Sequence, residues 1–154
     1  MPKLIKDGVI TDDPWLAPCG TPEAGHIFTL AQWDALEVKA GSAVQIEPGE
    51  SLDSLLPHLG DIALIAINFP VFTDGRGFSY ARELRERGYT GELRAVGHFI
   101  RDQLTYLRRV GFNAFQMSEE TQLESALDSL ADFSEYYQAS SDQALPLFRR
   151  RQGN

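Results

Sequence analysis

Six consecutive apolar residues, Ile62-Ala63-Leu64-Ile65-Ala66-Ile67, constrain the fold more than any other feature of the chain. A strand with one wet face alternates apolar and polar residues. A run that is apolar at every position needs cover on both faces, as a central strand of a parallel sheet has. The run has strand length and falls far short of the roughly 20 apolar residues that span a bilayer. It is also the longest apolar run in the chain, so the sequence predicts no membrane segment.

The pattern around this strand is a repeated strand-then-helix unit. Ala43 to Ile46 reads as a strand ended by Pro48-Gly49, and Leu52, Leu55 and Leu56 read as a short helix stopped near Pro57 and Gly60. After the central strand, Phe78, Ala81 and Leu84 mark one helix face, with Gly88 placed to end the helix. Leu93 to Val96 is the next strand, and Ile100, Leu104 and Leu107 line a helix ended by Gly111. Phe112 to Met117 is a further strand. Ser118 caps a final helix, whose Leu123, Ala126, Leu127, Leu130 and Phe133 recur at helical spacing.

The expected fold is therefore α/β, with four successive βα units and a parallel sheet. Right-handed crossovers allow either an open, doubly wound sheet or a half-barrel-like curved sheet with helices on one side. Residues 1–28, broken by Pro14, Pro18 and Pro22, read as an irregular N-terminal arm with a short strand pair near Leu4-Ile5 and Val9-Ile10. Thr29 suits the N-cap of a short helix over Leu30 to Leu36. Residues 29–137 form the core and 138–154 a flexible basic tail carrying Arg149-Arg150-Arg151, all within a single domain of 154 residues.

Charge and cysteine content narrow the function. A net charge of -8 repels nucleic acid. The single cysteine, Cys19, precludes an internal disulfide, and nothing near it would lower a thiol pKa. No Cys/His spacing matches a metal site, and His26 and His58 read as surface residues. The opening residues Met1 to Asp7 lack the apolar stretch of a signal peptide. The expectation is a cytoplasmic chain. The sequence has no dinucleotide fingerprint, Walker A loop, nucleophile elbow or HExxH, so no cofactor and no metal are expected.

In either architecture a site gathers at the carboxyl ends of the strands. The loop Asn68 to Gly77 is the richest there. Gly75 and Gly77 flank Arg76 at a helix start, an arrangement suited to a phosphate, sulfate or carboxylate. Asp74 as a helix cap and Arg76 in an ion pair explain the same residues without a ligand. After the next strand, His98 suits proton exchange near neutral pH. Asp102 is placed to orient it, and Arg101 adds a second cation. His98 as a cap and Asp102 as an ion-pair partner form the structural alternative. The candidate catalytic residues are thus His98, Asp102 and Asp74. The candidate anion-binding residues are Arg76, Gly75, Gly77 and Arg101. The residues leave open whether the chain is an enzyme.

The blocks Phe69-Pro70-Val71-Phe72-Thr73-Asp74-Gly75-Arg76-Gly77-Phe78-Ser79, Gly91-Glu92-Leu93-Arg94-Ala95-Val96-Gly97 and Arg101-Asp102-Gln103 resemble a bacterial family of unknown function, domain of unknown function 934. The resemblance runs from about Ser42 to Tyr136. Members of that family are often described as oxidoreductases of sulfite reduction, with genes beside that of the sulfite reductase haemoprotein. The resemblance implies a role in sulfur assimilation, as an accessory or interaction protein meeting sulfite reductase or another sulfur-pathway protein. The alternative is a cofactor-free enzyme or binder of a small anionic metabolite. The exposed edges of a sheet of four βα units further predict a homodimer, joined through the aromatic loop around Phe72 or a sheet edge, with a monomer whose arm wraps the sheet as the alternative.

Overall fold

The computed structural model describes residues 3–21, 23, 25–70, 76–99, 103–117 and 122–132. Its centre is a seven-stranded sheet ordered β2-β1-β7-β6-β5-β4-β3. The chain enters through a hairpin, β1 (Lys3–Lys6) and β2 (Val9–Asp12), then β3 (Phe28–Thr29) and α1 (Leu30–Asp34). Next come β4 (Ser42–Ile46), β5 (Ile62–Phe69), α2 (Arg76–Glu86), β6 (Glu92–Gly97), α3 (Leu104–Val110), β7 (Ala114–Met117) and α4 (Leu123–Asp132).

Strands β3 to β7 pair in parallel and in sequential order. Right-handed crossovers in sequential order send every helix to the same face. Residues of all four helices accordingly share one cluster: Trp33 of α1, Leu84 of α2, Leu107 of α3 and Ala126 of α4. Alternate strand residues meet them there: Val44 and Ile46, Ile65, Ile67 and Phe69, Leu93 and Ala95, Phe115 and Met117. The sheet is open with its helices on one face, so the doubly wound arrangement is not the one adopted.

Three sequence expectations need correction. The sheet is only mostly parallel, because β1 runs antiparallel to both β2 and β7. The N-terminal arm is not simply irregular, because the expected hairpin docks on β7 and adds two strands to the sheet. The helix expected around Leu52 to Leu56 is one 3-10 turn, Leu56–His58. Pro57 lies inside that turn and has no N–H to extend it. Other elements fall where periodicity puts them. Thr29 caps α1 in a capping box with Gln32. Gly88 and Gly111, with φ of 97° and 126°, end α2 and α3. The following Tyr89 and Phe112 N–H groups reach back to Leu84 and Leu107 carbonyls at 3.0 and 3.1 Å. Ile100, Ser118, Phe133 and the tail from residue 138 lie outside the described residues.

A sheet with helices on one face has a second face to cover. The arm does this. Trp15 and Ile27 pack on Ala43 and Leu64, and the arm closes on itself where the Leu16 N–H donates to Gly25 O and the Ile27 N–H to Leu16 O, both at 2.8 Å. The run that needs cover on both sides thus has Ile65 and Ile67 under helices and Leu64 under the arm.

Arg94 of β6 pins the arm down. Its side chain is 1% exposed. Its guanidinium meets Asp13 twice, Nη1 to Oδ2 at 2.9 Å and Nη2 to Oδ1 at 3.2 Å. Nε donates to Glu92 Oε2 at 2.9 Å, Nη2 meets the same oxygen at 2.8 Å, and Nη1 donates to Gln116 Oε1 at 3.1 Å. Each of the three guanidinium nitrogens therefore donates to at least one side-chain oxygen. Lys6 Nζ of β1, 3.2 Å from Glu92 Oε1, completes the group. At the hairpin's outer edge, the Lys3 ammonium hydrogen-bonds Asp12 at 2.6 Å and holds that carboxyl below its ordinary range.

Removing one partner of a buried ion pair leaves the other charge without compensation, at a cost of about 3–5 kcal/mol. Asp13→Ala is therefore expected to lower the unfolding free energy by about 3 kcal/mol, read by urea denaturation. Replacing Arg94, Asp13 and Glu92 together by apolar residues of similar volume should recover most of the loss. A single Asp13→Ala within experimental error of the native chain would show that Arg94 does not secure the arm.

Candidate functional site

The carboxyl ends of β4, β5 and β6 form one rim of the sheet. Strand register fixes what meets there. Ile46 pairs with Ile67, so the next residue of each strand, Glu47 and Asn68, continue side by side. Asn68 pairs with Val96, and Phe69 with Gly97. His98 follows at once, its backbone N–H donating to Phe69 O at 2.7 Å. A carboxylate, an amide and an imidazole thus stand at the ends of three adjacent strands.

Glu47 is the best-anchored of them. Asn68 Nδ2 donates to its Oε1 at 2.7 Å, and Gln45 Nε2 to its Oε2 at 2.8 Å. The Glu47 N–H donates to Glu50 Oε1 at 2.7 Å, which closes the turn that follows β4. Tyr80 of α2 ties that turn down: its hydroxyl accepts from the Gly49 N–H at 2.9 Å and donates to Glu50 O at 2.7 Å. Arg76 opens α2 and reaches the same turn, since a Cβ placed on Gly49 would lie 3.6 Å from its Nη1. Held by two amides, the Glu47 carboxylate has a fixed orientation, which is what general acid–base work asks of a carboxylate.

Glycines give the rim its shape. Gly97 has φ +99°, and a Cβ there would fall 2.5 Å from Asn68 Oδ1 and 2.6 Å from Phe69 O. Only glycine lets β6 turn out at this point, leaving His98 exposed and the next residue, Phe99, buried against Phe69 and Phe115. Gly77 is buried, and a Cβ on it would lie 2.5 Å from the Phe69 ring. Packing of α2 on β5 therefore demands Gly77 whether or not an anion binds.

Of the residues expected from sequence, the structure brings Arg76, Gly77 and His98 to this rim. Asp74, Gly75, Arg101, Asp102 and Phe72 lie outside the described residues. His26 and His58 stand elsewhere. His26 Nδ1 accepts from the Glu23 N–H at 3.1 Å. His58 lies 3.8 Å from Asp61, three residues on, and edge-on to Trp33. Cys19 is exposed. Among the described residues no group of His, Cys, Asp and Glu could hold a metal ion, and no helix is long and apolar enough to cross a membrane.

Sequence reasoning missed Gln45, Glu47 and Arg94, and it treated Asn68 only as the start of a loop. The available signal was a polar residue just past, or within, an otherwise apolar strand. Arg94 between Leu93 and Ala95 is the clearest instance.

A cavity of about 630 Å³ opens at the opposite end of the sheet, walled by Arg85, Tyr89, Thr90, Arg108, Phe112 and Leu130 among others. Bracing explains much of its polar wall. Arg85 donates to Gly111 O at 2.9 Å, Tyr89 O at 2.9 Å and Gly91 O at 3.0 Å, joining two helix-to-strand loops. The Tyr89 hydroxyl donates to Glu92 O at 3.0 Å, and burial pushes its pKa well up, so it remains a neutral donor. The rim, with its residues on successive strand ends, is the better functional candidate.

The family described as a bacterial protein of unknown function (DUF934) matches residues 43–148. No curated protein and no solved structure matches the chain.

Gly97→Ala tests how the rim is built. The added methyl forces a strained φ and presses on Asn68 Oδ1, so a loss of about 1–3 kcal/mol is expected in denaturant unfolding. Val110→Ala, at the far end of α3, removes buried methyls without touching Asn68. Amide resonances of Asn68 and Glu47 should shift in the first variant and stay in place in the second.

Proposed function

The chain belongs to the bacterial DUF934 family of unknown function, and we propose that this member binds a small anionic metabolite at the carboxyl ends of β4, β5 and β6. The observation that carries this reading is the alignment of Glu47, Asn68 and His98 across three neighbouring strand ends, with Arg76 reaching the turn beside them. Arg76 and His98 supply cationic and donor groups for the anion. Glu47, held by two amides, is the counterpart that takes or returns a proton. The reading requires no electron carrier, and its chemistry is binding with proton transfer.

The test is a thermal-shift titration with sulfite, sulfate and phosphate. A ligand that binds only the folded chain stabilises it by about 2.7 kcal/mol at one hundred times its dissociation constant. A midpoint that rises with anion concentration, and stops rising in the Arg76→Ala/His98→Ala double variant, is the expected result. An equal rise in native chain and double variant would move the site off this rim, and no rise would remove the small-anion reading.

A second reading rests on the sequence blocks shared with the family. Their resemblance favours an accessory role in sulfite reduction, in contact with sulfite reductase or another protein of that pathway. Arg76 of those blocks reaches the turn beside the rim, so the same surface would serve. Affinity capture with the native chain should recover a sulfur-pathway protein, and a strain lacking the chain should grow poorly on sulfate as sole sulfur source. Normal growth on sulfate counts against this reading and leaves the anion site to the titration.

A further inference from the structure

The outer surface formed by α2 and α3 carries an anomaly that the rim does not explain. Tyr106 of α3 is 44% exposed and stands edge-on to half-buried Phe78 of α2, ring centres 5.0 Å apart. A groove of about 380 Å³ runs beside this pair and is walled by Ser79, Arg82, Glu83, Glu86 and Arg87. An aromatic pair within a ring of charged side chains is the anatomy of a protein–protein contact, where Tyr and Arg concentrate.

Charge selects the occupant. The chain carries -8, so two copies repel over most of their surfaces. The ring around the groove holds two arginines and two glutamates and sums to zero. A two-fold contact brings a patch against itself, so it must carry both signs to be attractive. This patch does: Arg82 and Arg87 of one copy can face Glu83 and Glu86 of the other, with Tyr106 and Phe78 at the centre. Glu83 and Arg87 already lie 3.6 Å apart within one chain, with side chains 45% and 58% exposed, so exchanging partners across an interface needs little rearrangement.

We infer that the α2–α3 face is the surface through which two copies of this chain pair as a symmetric dimer. The contact buries the Tyr106–Phe78 pair and leaves the rim at the strand ends open. It does not depend on the anion-binding reading.

The experiment uses the full chain and two double variants, Arg82→Glu/Arg87→Glu and Glu83→Arg/Glu86→Arg, in size exclusion with light scattering at micromolar concentration. The native chain should have twice the 17.2 kDa of one copy. Each variant alone faces like charge with like charge and should run as a single copy. Mixed in equal amounts, the two should pair again, because every reciprocal contact then joins opposite signs. A native chain at 17.2 kDa, variants that stay paired alone, or a mixture that stays single would each overturn the inference. Circular dichroism melts check that the variants fold. Where one does not, Tyr106→Asp, a change at one exposed side chain, takes its place: a single copy supports the interface and a persistent pair overturns it.

Discussion

The buried guanidinium of Arg94 ties the N-terminal segment to the sheet face opposite the helices. Sequential parallel strands with right-handed crossovers place every helix on one face, so the other face lacks a layer. The chain covers it with its own N-terminal segment, which brings few apolar residues to that face. Among the described residues, Trp15 and Ile27 pack there. A polar anchor makes up the difference. Desolvating an arginine costs several kcal/mol, and attraction offsets that only when every donor is met and the geometry is good. Here all three nitrogens donate, to Asp13 from the arm and to Glu92 and Gln116 from the sheet, and Lys6 of β1 balances Glu92. Leucines at these positions would also fill the space. They would not specify which part of the arm lies over which strand, and the paired planar groups do.

A similar dependence links the core to the rim. Phe69 is the last residue of β5 and almost wholly buried. Its ring meets Phe78, Phe99 and Phe112, so it organises the packing of the helix layer just beneath the strand ends. Its ring requires Gly77 in α2, and its carbonyl takes the His98 N–H and crowds any side chain at position 97. One core aromatic therefore fixes where α2 begins and where β6 stops. Arg76 and His98 are the residues next to those two points.

Much of this architecture was legible because it rests on local rules. The run Ile62 to Ile67, the glycine stops at Gly88 and Gly111, the Thr29 cap and the hairpin near Leu4 and Val9 follow from periodicity and backbone preference alone. The choice of helix side was not legible, since hydrophobic spacing is the same for one-sided and two-sided winding and only strand order decides. Pro57 could have warned against a full helix after β4, because a proline there withdraws the donor a second turn needs. The rim was half legible. Arg76 and His98 stand at loop starts that any α/β reading inspects. Glu47 and Gln45 acquire their meaning from Asn68, some twenty residues away, and only register across two strands brings them together. Arg94 met Asp13 across a still longer stretch of chain, which no window along the sequence can join.

Helix α2 shows how one element serves three neighbours through a single period. Gly77, Ala81 and Leu84, spaced by four and three residues, are its buried stripe against the sheet. Arg76 and Tyr80, four apart, share the flank toward the turn after β4, where one reaches Gly49 and the other hydrogen-bonds on both sides of it. Phe78 and Arg82, again four apart, share the opposite flank, beside Tyr106 of α3. Rotating the helix to improve any one of these contacts would disturb the other two. The buried stripe, with no Cβ tolerated at Gly77, does not rotate. A rigid helix of this kind lets the flank that shapes the rim and the flank that faces outward differ in chemistry while keeping a constant distance. Changes at Arg82 or Glu86 therefore reach the rim only by displacing the whole helix, and the Phe69 ring against Gly77 opposes that displacement.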